Sequence, residues 1–210
     1  MSLPLAIYRK LPKRYPLSLG FMKYSVRFNG VDAYGVVKDA PGLRVPEFTI
    51  IIWLRLDYLP DSNRNIFRKG TTGYDYNYSI GVDTNGRIFY GVFNDTVPTL
   101  NYLWSDPLTV GKWYYAVFGF RRPSQTMYTA TFDHDITLST ADIGIAGKYD
   151  GSYPAPVTIA LILKYNRFLS EDEIHYIMLN YHNPPREGLV LWLEFEEGRG
   201  NIVYDKSGYG

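Results

Sequence analysis

The chain contains no cysteine. A disulfide framework, a thiolate metal site and a cysteine nucleophile are therefore excluded, and stability must come from packing. No apolar run approaches the roughly 18 residues of a membrane-spanning helix. The opening MSLPLAIYRKLPKRYPL offers only a six-residue apolar stretch before its charges, too short for a signal-peptide core. The expectation is a soluble chain without a signal segment and without a membrane span. An excess of one charge is also missing: charged residues are 20% of the chain and balance to +1. Nothing global then recruits nucleic acid or an anionic membrane. The exception is local, since Arg9, Lys10, Lys13, Arg14, Lys23 and Arg27 all precede the first acid, Asp32. No aromatic pattern interleaves those cations, so the segment reads as a solvated arm and not as a nucleic-acid contact. Histidine is scarce. His175 and His182 are seven residues apart on one helix side and His134 is in a turn, which does not make a metal site.

What is abundant is tyrosine, 20 of 210 residues, within a total of 17% aromatics. Aromatics suit strands, and tyrosine suits surfaces that bind something. With 13 prolines and no cysteine, the composition is also compatible with a thermophilic source.

The longest unambiguous strand is EFTIIIWLRLDY, Glu47 to Tyr58. Phe48, Ile50, Ile52, Leu54 and Leu56 alternate onto one face, which belongs in a core. The other face carries Ile51 and Trp53 between polar ends and is expected to be partly covered as well. Before it, Pro4, Pro12 and Pro16 make residues 1–22 an extended basic arm. Lys23 to Phe28 and Ala33 to Val37 read as strands around the turn Asn29-Gly30-Val31-Asp32. After it come a short strand at Asn65 to Lys69 and a hairpin of Asn77 to Asp83 with Arg87 to Phe93 around Thr84-Asn85-Gly86. In the first arm Tyr78, Ile80 and Val82 point inward. Asn94 to Asp106 has no clear pattern. Lys112 to Arg121 and Thr126 to Phe132 read as strands, and Asp133-His134-Asp135 as a turn. Gly144 to Pro156 reads as loop, and Val157 to Leu163 as a strand buried on both faces. Ser170 with Glu173 forms a capping box for the one convincing helix, whose stripe is Ile174, Ile177, Met178 and Tyr181. Asn183, Pro184 and Pro185 end it. Leu189 to Phe195 alternates again, with Leu189, Leu191, Leu193 and Phe195 expected in the core, and Asn201 to Tyr204 suggests one more short strand. Many short strands and one short helix near the C-terminus predict an all-β, antiparallel two-sheet sandwich, with residues 23–210 as a single domain.

A sugar needs aromatic platforms beside amides and carboxylates. The loop Tyr74, Asp75, Tyr76, Asn77 supplies these, with Trp104 and the Tyr149 to Tyr153 loop as neighbours. An aromatic loop packing on itself or on a partner subunit fits the same residues. Trp53, Trp113 and Trp192 lie on regular strands and read as packing residues.

The succession of FNGVDAYGVV (28–37), FTIIIWLRL (48–56), YSIGVDTNGRIFYGV (78–92), GKWYYAVFGF (111–120) and ILKYNRFLSEDEI (162–174) resembles the concanavalin A-like, laminin G-like jelly rolls. The resemblance spans residues 20–182 and implies a jelly-roll sandwich. Proteins of that kind include lectins, glycan-binding modules, adhesion domains and some glycoside hydrolases. Two departures stand out. Ala160 and Leu161 occupy the places of the family's usual acidic pair, which removes the expected hydrolytic carboxylates. LVLWLEFEEGRG and YDKSGYG, a signature usual at the start of the domain, lie at 189–210, which implies a C-terminal strand completing the sandwich by circular permutation, or the start of a second repeat. Glu194, Glu196 and Glu197 are the nearest approach to a retaining pair, but Gly198 stands where a third same-face acid would be needed, so they read as a solvated acidic turn and no catalytic residue is assigned. The resemblance further implies a calcium ion held by loop oxygens, for which Asn29, Asp32 and Asp205 are the candidates, although all three serve equally as turn formers. The function expected is a non-catalytic module recognising carbohydrate or a protein surface. The alternative is a structural subunit of a virion, filament or cell-surface assembly, forming homo-oligomers or polymers, and a glycoside hydrolase ranks third. Extracellular, cell-surface or virion-associated settings fit these readings.

Overall fold

The computed structural model describes residues 22–70, 76–92, 102–121 and 138–209. The expectations for the arm up to residue 21, for a strand at Thr126 to Phe132 and for the turn Asp133-His134-Asp135 lie outside these residues. In chain order the strands are Val26–Arg27 (β1), Gly35–Val37 (β2), Phe48–Leu56 (β3), Arg64–Gly70 (β4), Tyr76–Val82 (β5), Arg87–Val92 (β6), Tyr102–Pro107 (β7), Trp113–Phe120 (β8), Ile143–Ile145 (β9), Val157–Tyr165 (β10) and Leu189–Leu193 (β11). The helix Glu171–Leu179 (α1) lies between the last two. They form two antiparallel sheets packed as a jelly-roll sandwich. One runs β1 and β11, then β10, β3 and β8; the other runs β2, β9, β4, β5, β6 and β7.

Alternation in β3 does what its residue types dictate. Phe48, Ile50, Ile52, Leu54 and Leu56 enter the layer between the sheets, where they meet Tyr78, Ile80 and Val82 from β5, all without solvent exposure. The opposite face of β3, with Ile51 and Trp53, joins Leu161 and Leu163 of β10 in a second apolar cluster that α1 covers through Ile177 and, partly, Ile174 and Met178. Tyr181, just past the helix, packs edge-on to Trp53 at 5.2 Å. The capping box starts the helix there: the Glu173 N–H donates to Ser170 Oγ at 3.2 Å, and the Ser170 N–H donates to Glu173 Oε2 at 2.9 Å.

Because β3 occupies one side of β10 along its whole length, β1 and β11 share the other side end to end. Val26 lies opposite Ile159, and Leu193 opposite Ile162. The strand expected over Lys23 to Phe28 is reduced to Val26 and Arg27 by this sharing. Where the two meet, the Lys23 N–H donates to Glu196 Oε1 at 2.9 Å.

Four further expectations are corrected. Ile143–Ile145, partly within the stretch read as loop, is a strand between β2 and β4, too short for a period to be visible. Tyr102–Pro107, in the stretch without a pattern, is an edge strand, where Asp106 and Pro107 are tolerated because one side needs no partner. Asn201 to Tyr204 forms no strand. In β11 the register shifts at the Lys164/Tyr165 step, so Val190 turns into the inter-sheet core and Leu189 to the helix side, contrary to strict alternation.

One end of the sandwich is polar inside. Lys69 and Lys164 enter from opposite sheets, and neither side chain is exposed. Lys69 Nζ donates to Asp39 Oδ1 at 2.5 Å and to the Ala141 carbonyl at 2.8 Å, while the Arg44 guanidinium donates to Asp39 Oδ2 from its Nε at 2.8 Å. Lys164 makes a long 3.4 Å hydrogen bond to the Leu43 carbonyl and lies 5.5 Å from the centre of the Phe48 ring, and burial, with repulsion from Lys69, pulls its ammonium down to about 7.

Candidate ligand-binding face

The same alternation that fills the core decides what the outer face of the six-stranded sheet carries. With Tyr78, Ile80 and Val82 inward, β5 presents Asn77, Ser79 and Gly81 outward; with Ile88, Tyr90 and Val92 inward, β6 presents Phe89 and Gly91. Trp104 pairs with Phe89 and Tyr102 with Gly91 on the same face. These rings form a cluster: Phe89 lies 5.5 Å from Trp104 and 5.2 Å from Tyr102. Phe89 is buried beneath, and Trp104 stands 41% exposed. Arg87 lies over the Trp104 ring at 4.8 Å and donates from Nε to Asp83 Oδ2 at 2.7 Å. Burial pushes the Asp83 carboxyl up, but hydrogen bonds from Arg87 and Asn85 more than reverse this and hold it below the ordinary range.

At the other margin the chain leaves β9 and folds back over the sheet. Ala146 N–H donates to the Ile66 carbonyl at 2.7 Å, and Asn65 N–H donates to the Tyr153 carbonyl at 3.0 Å. Gly144 makes this possible, since a Cβ there would overlap the backbone of Gly147 and Lys148. Ala146 and Tyr153, at the two ends of the return, have φ of 51° and 56°. That left-handed conformation is costly for a bulky side chain and is held by the surrounding hydrogen bonds. Four strand spacings separate β7 from β9, so the face is roughly 19 Å across.

A laminin G-type family model described as the concanavalin A-like lectin/glucanases superfamily matches residues 29–175. The chain belongs to that superfamily. Solved structures with the same fold include a protein from Bacteroides ovatus described as a candidate carbohydrate binder, at 17% identity and TM-score 0.65, covering 87% of this chain and 56% of that one. The heptameric SAP-like pentraxin of Limulus polyphemus matches at 15% identity and TM-score 0.54, covering 88% of this chain and 92% of the pentraxin. The Trypanosoma rangeli sialidase in complex with the inhibitor DANA matches at 18% identity and TM-score 0.53, over 74% of this chain. The chain spans only 27% of that sialidase. At these identities the likeness is one of fold. No curated protein sequence matches the chain.

Of the residues singled out in this superfamily member, Tyr74 and Asp75 lie outside the described residues, and Tyr76 opens β5. Trp104 and Tyr153 stand exposed at opposite margins of one face, with Tyr149 half-buried in the same return as Tyr153. Asn77 is on that face too but only 1% exposed, so the expectation that its amide meets a ligand directly is not what the packing offers. Arg68, Arg87, Tyr102 and Lys148 were not anticipated. Period-2 counting from Tyr78 and Leu103 finds the strand residues once the register is known; Lys148 has no such signal.

The calcium candidates are separated. Phe28 N–H donates to the Val157 carbonyl, which puts Asn29 at one end of β10, whereas Trp192, opposite Leu163, receives Asp205 six positions away. That is about 20 Å of strand. Asn29 Oδ1 accepts from the N–H groups of Val31, Asp32 and Ala33, and Asp205 Oδ1 from those of Trp192 and Ser207, so both shape turns. Among the described residues no group of three histidine, aspartate or glutamate side chains could hold a metal ion. Glu194, Glu196 and Glu197 accept from Lys206 Nζ and from the N–H groups of Lys23 and Tyr204, fastening the end segments.

Proposed function

We propose that this chain is a non-catalytic binding module that takes carbohydrate on the outer face of its six-stranded sheet, with Trp104 and Tyr153 as platforms at the two margins. The observation that carries this reading is Trp104 itself: a half-exposed indole on a regular strand, backed by Phe89 and Tyr102, is held rigid at little entropic cost. Among the described residues, the carboxyl groups displaced from their ordinary value, Asp39, Asp61, Asp83, Asp142, Asp150 and Glu173, are all displaced downward. Such displacement is that of carboxylates engaged in ion pairs, caps and turns, the structural part each plays here. A structural subunit would be favoured by strands apolar on both faces, an open end strand and a basic arm; the first two have an explanation within one chain, since α1 covers the second apolar face of β3 and β10 and β11 pairs with β10, and the arm lies outside the described residues.

The test is a glycan array followed by calorimetry on the best ligand. Trp104→Ala should weaken binding by roughly tenfold, the scale of one lost aromatic platform, and no reducing sugar should be released. Absence of binding across the array, or sugar release abolished by Glu194→Gln, would overturn the reading.

A further inference from the structure

We infer that Arg87 sets the specificity of this face, the open end of its guanidinium reading two adjacent hydroxyls of a neutral sugar ring held against Trp104. The inference rests on the proposed function and names the chemical class of its ligand. The turn between β5 and β6 places the side chain. Asp83 N–H donates to the Arg87 carbonyl and Gly86 N–H to the Asp83 carbonyl, both at 3.0 Å, which closes the hairpin. Asp83 Oδ1 accepts from the N–H groups of Asn85 and Arg87 at 3.0 and 2.8 Å. Its Oδ2 receives Arg87 Nε at 2.7 Å and Nη2 at 2.6 Å. One edge of the guanidinium is thereby locked, and its carbon stands over the Trp104 ring, 4.8 Å from the centroid.

A guanidinium carries five N–H donors in a fixed plane. The pair with Asp83 uses the edge shared by Nε and Nη2, so the end of the fork, between Nη2 and Nη1, is left over. That end is accessible: the Arg87 side chain and Trp104 are each 41% exposed. Asp83, only 5% exposed and already accepting on both oxygens, cancels the charge of Arg87 without meeting a ligand itself. The site then offers donors with no net charge, which suits hydroxyl oxygens and requires no anion. Two parallel donors in a rigid plane match two oxygens on adjacent carbons. Since Arg87 covers one side of the indole, the sugar packs on the exposed remainder of the ring, with the fork at its rim.

A glycan array bearing cello-, manno-, galacto- and laminari-oligosaccharides of equal length tests this on the full chain, with calorimetry on the tightest ligand. The first three, β-1,4-linked, keep adjacent free hydroxyls on every ring, and the β-1,3-linked laminari chain has none on its inner rings. At least one β-1,4-linked chain should bind more tightly than the laminari chain, with an affinity that holds as sodium chloride is raised. Arg87→Lys keeps the charge but not the planar fork, and should weaken binding roughly tenfold, the scale of a lost hydrogen bond to a charged group. Arg87→Met should weaken it at least as much, and melting curves of both variants report whether the turn is intact. Preference for glycans without adjacent free hydroxyls, affinity that collapses in salt, or unchanged binding by Arg87→Lys overturns the inference, and binding that still depends on Trp104 leaves the proposed function standing. If no glycan on the array binds, both fail.

Discussion

Phe89 rests its ring on the bare backbone of Gly81, its cross-strand partner, so closely that a Cβ at Gly81 would overlap the ring and the Arg64 carbonyl oxygen. The glycine is what lets an aromatic lie flat on the sheet and support Trp104 from below.

Gly81→Ala should therefore damage the face as well as the fold. The carbonyl belongs to backbone and cannot swing away, so a loss of about 1–3 kcal/mol is expected, the usual scale of overpacking. Chemical denaturation measures the loss. Tryptophan fluorescence should shift to the red as Trp104 is freed, and unchanged stability with unchanged emission would show that the stacking is dispensable.

Truncation after Gly188 should leave an insoluble or molten protein. It removes Val190, Leu191, Leu193 and Phe195 from the inter-sheet core and Leu189 and Trp192 from under the helix. At roughly 1.5–3 kcal/mol for each large buried side chain, the loss rivals a domain's entire stability. A shortened chain that melts unchanged would place residues 189–210 outside this domain, as the beginning of another repeat. A folded chain that no longer assembles would mean that the strand is exchanged between copies.

Stability should rise with pH between about 7 and 10. Burial holds Lys164 near 7 in the folded state against an ordinary value of 10.5, so across this window the unfolded chain binds more protons and raising pH favours folding. Lys69, also lowered by burial, adds in the same direction. Above about pH 10 the sign reverses, because buried Tyr78, Tyr90 and Tyr165 are held up while tyrosines of the unfolded chain ionise. Lys164→Met should flatten the rise and raise the melting temperature at pH 6. A melting temperature that falls steadily from pH 7 would contradict the burial of Lys164 as a cation.

The sandwich was legible because its strands obey a short period. Phe48 to Leu56 and Tyr78 to Val82 each announce one buried face, and Ser170 with Glu173 announces the helix that covers Trp53. β7 and β9 were not legible, for different reasons. Tyr102–Pro107 is an edge whose exposed side accepts polar residues and proline, and Ile143–Ile145 is too brief for alternation to register. The candidate face was half legible. Trp104 and Tyr153 could be picked out by type, but that they flank one sheet depends on the order β9, β4, β5, β6, β7, a long-range property that no local pattern encodes. The separation of Asn29 from Asp205 is equally non-local, because it follows from β1 and β11 sharing β10.

That shared edge also fixes how the molecule can be held. Lys23, ahead of β1, and Glu196, past β11, meet at one spot on the rim of the five-stranded sheet, and the segment after Glu196 runs back along β11 until Tyr209 lies against Gly42. A pull on that rim, at the junction of Lys23 and Glu196, would load β1 and β11 together against β10, and Trp104, in the opposite sheet, would be clear of it.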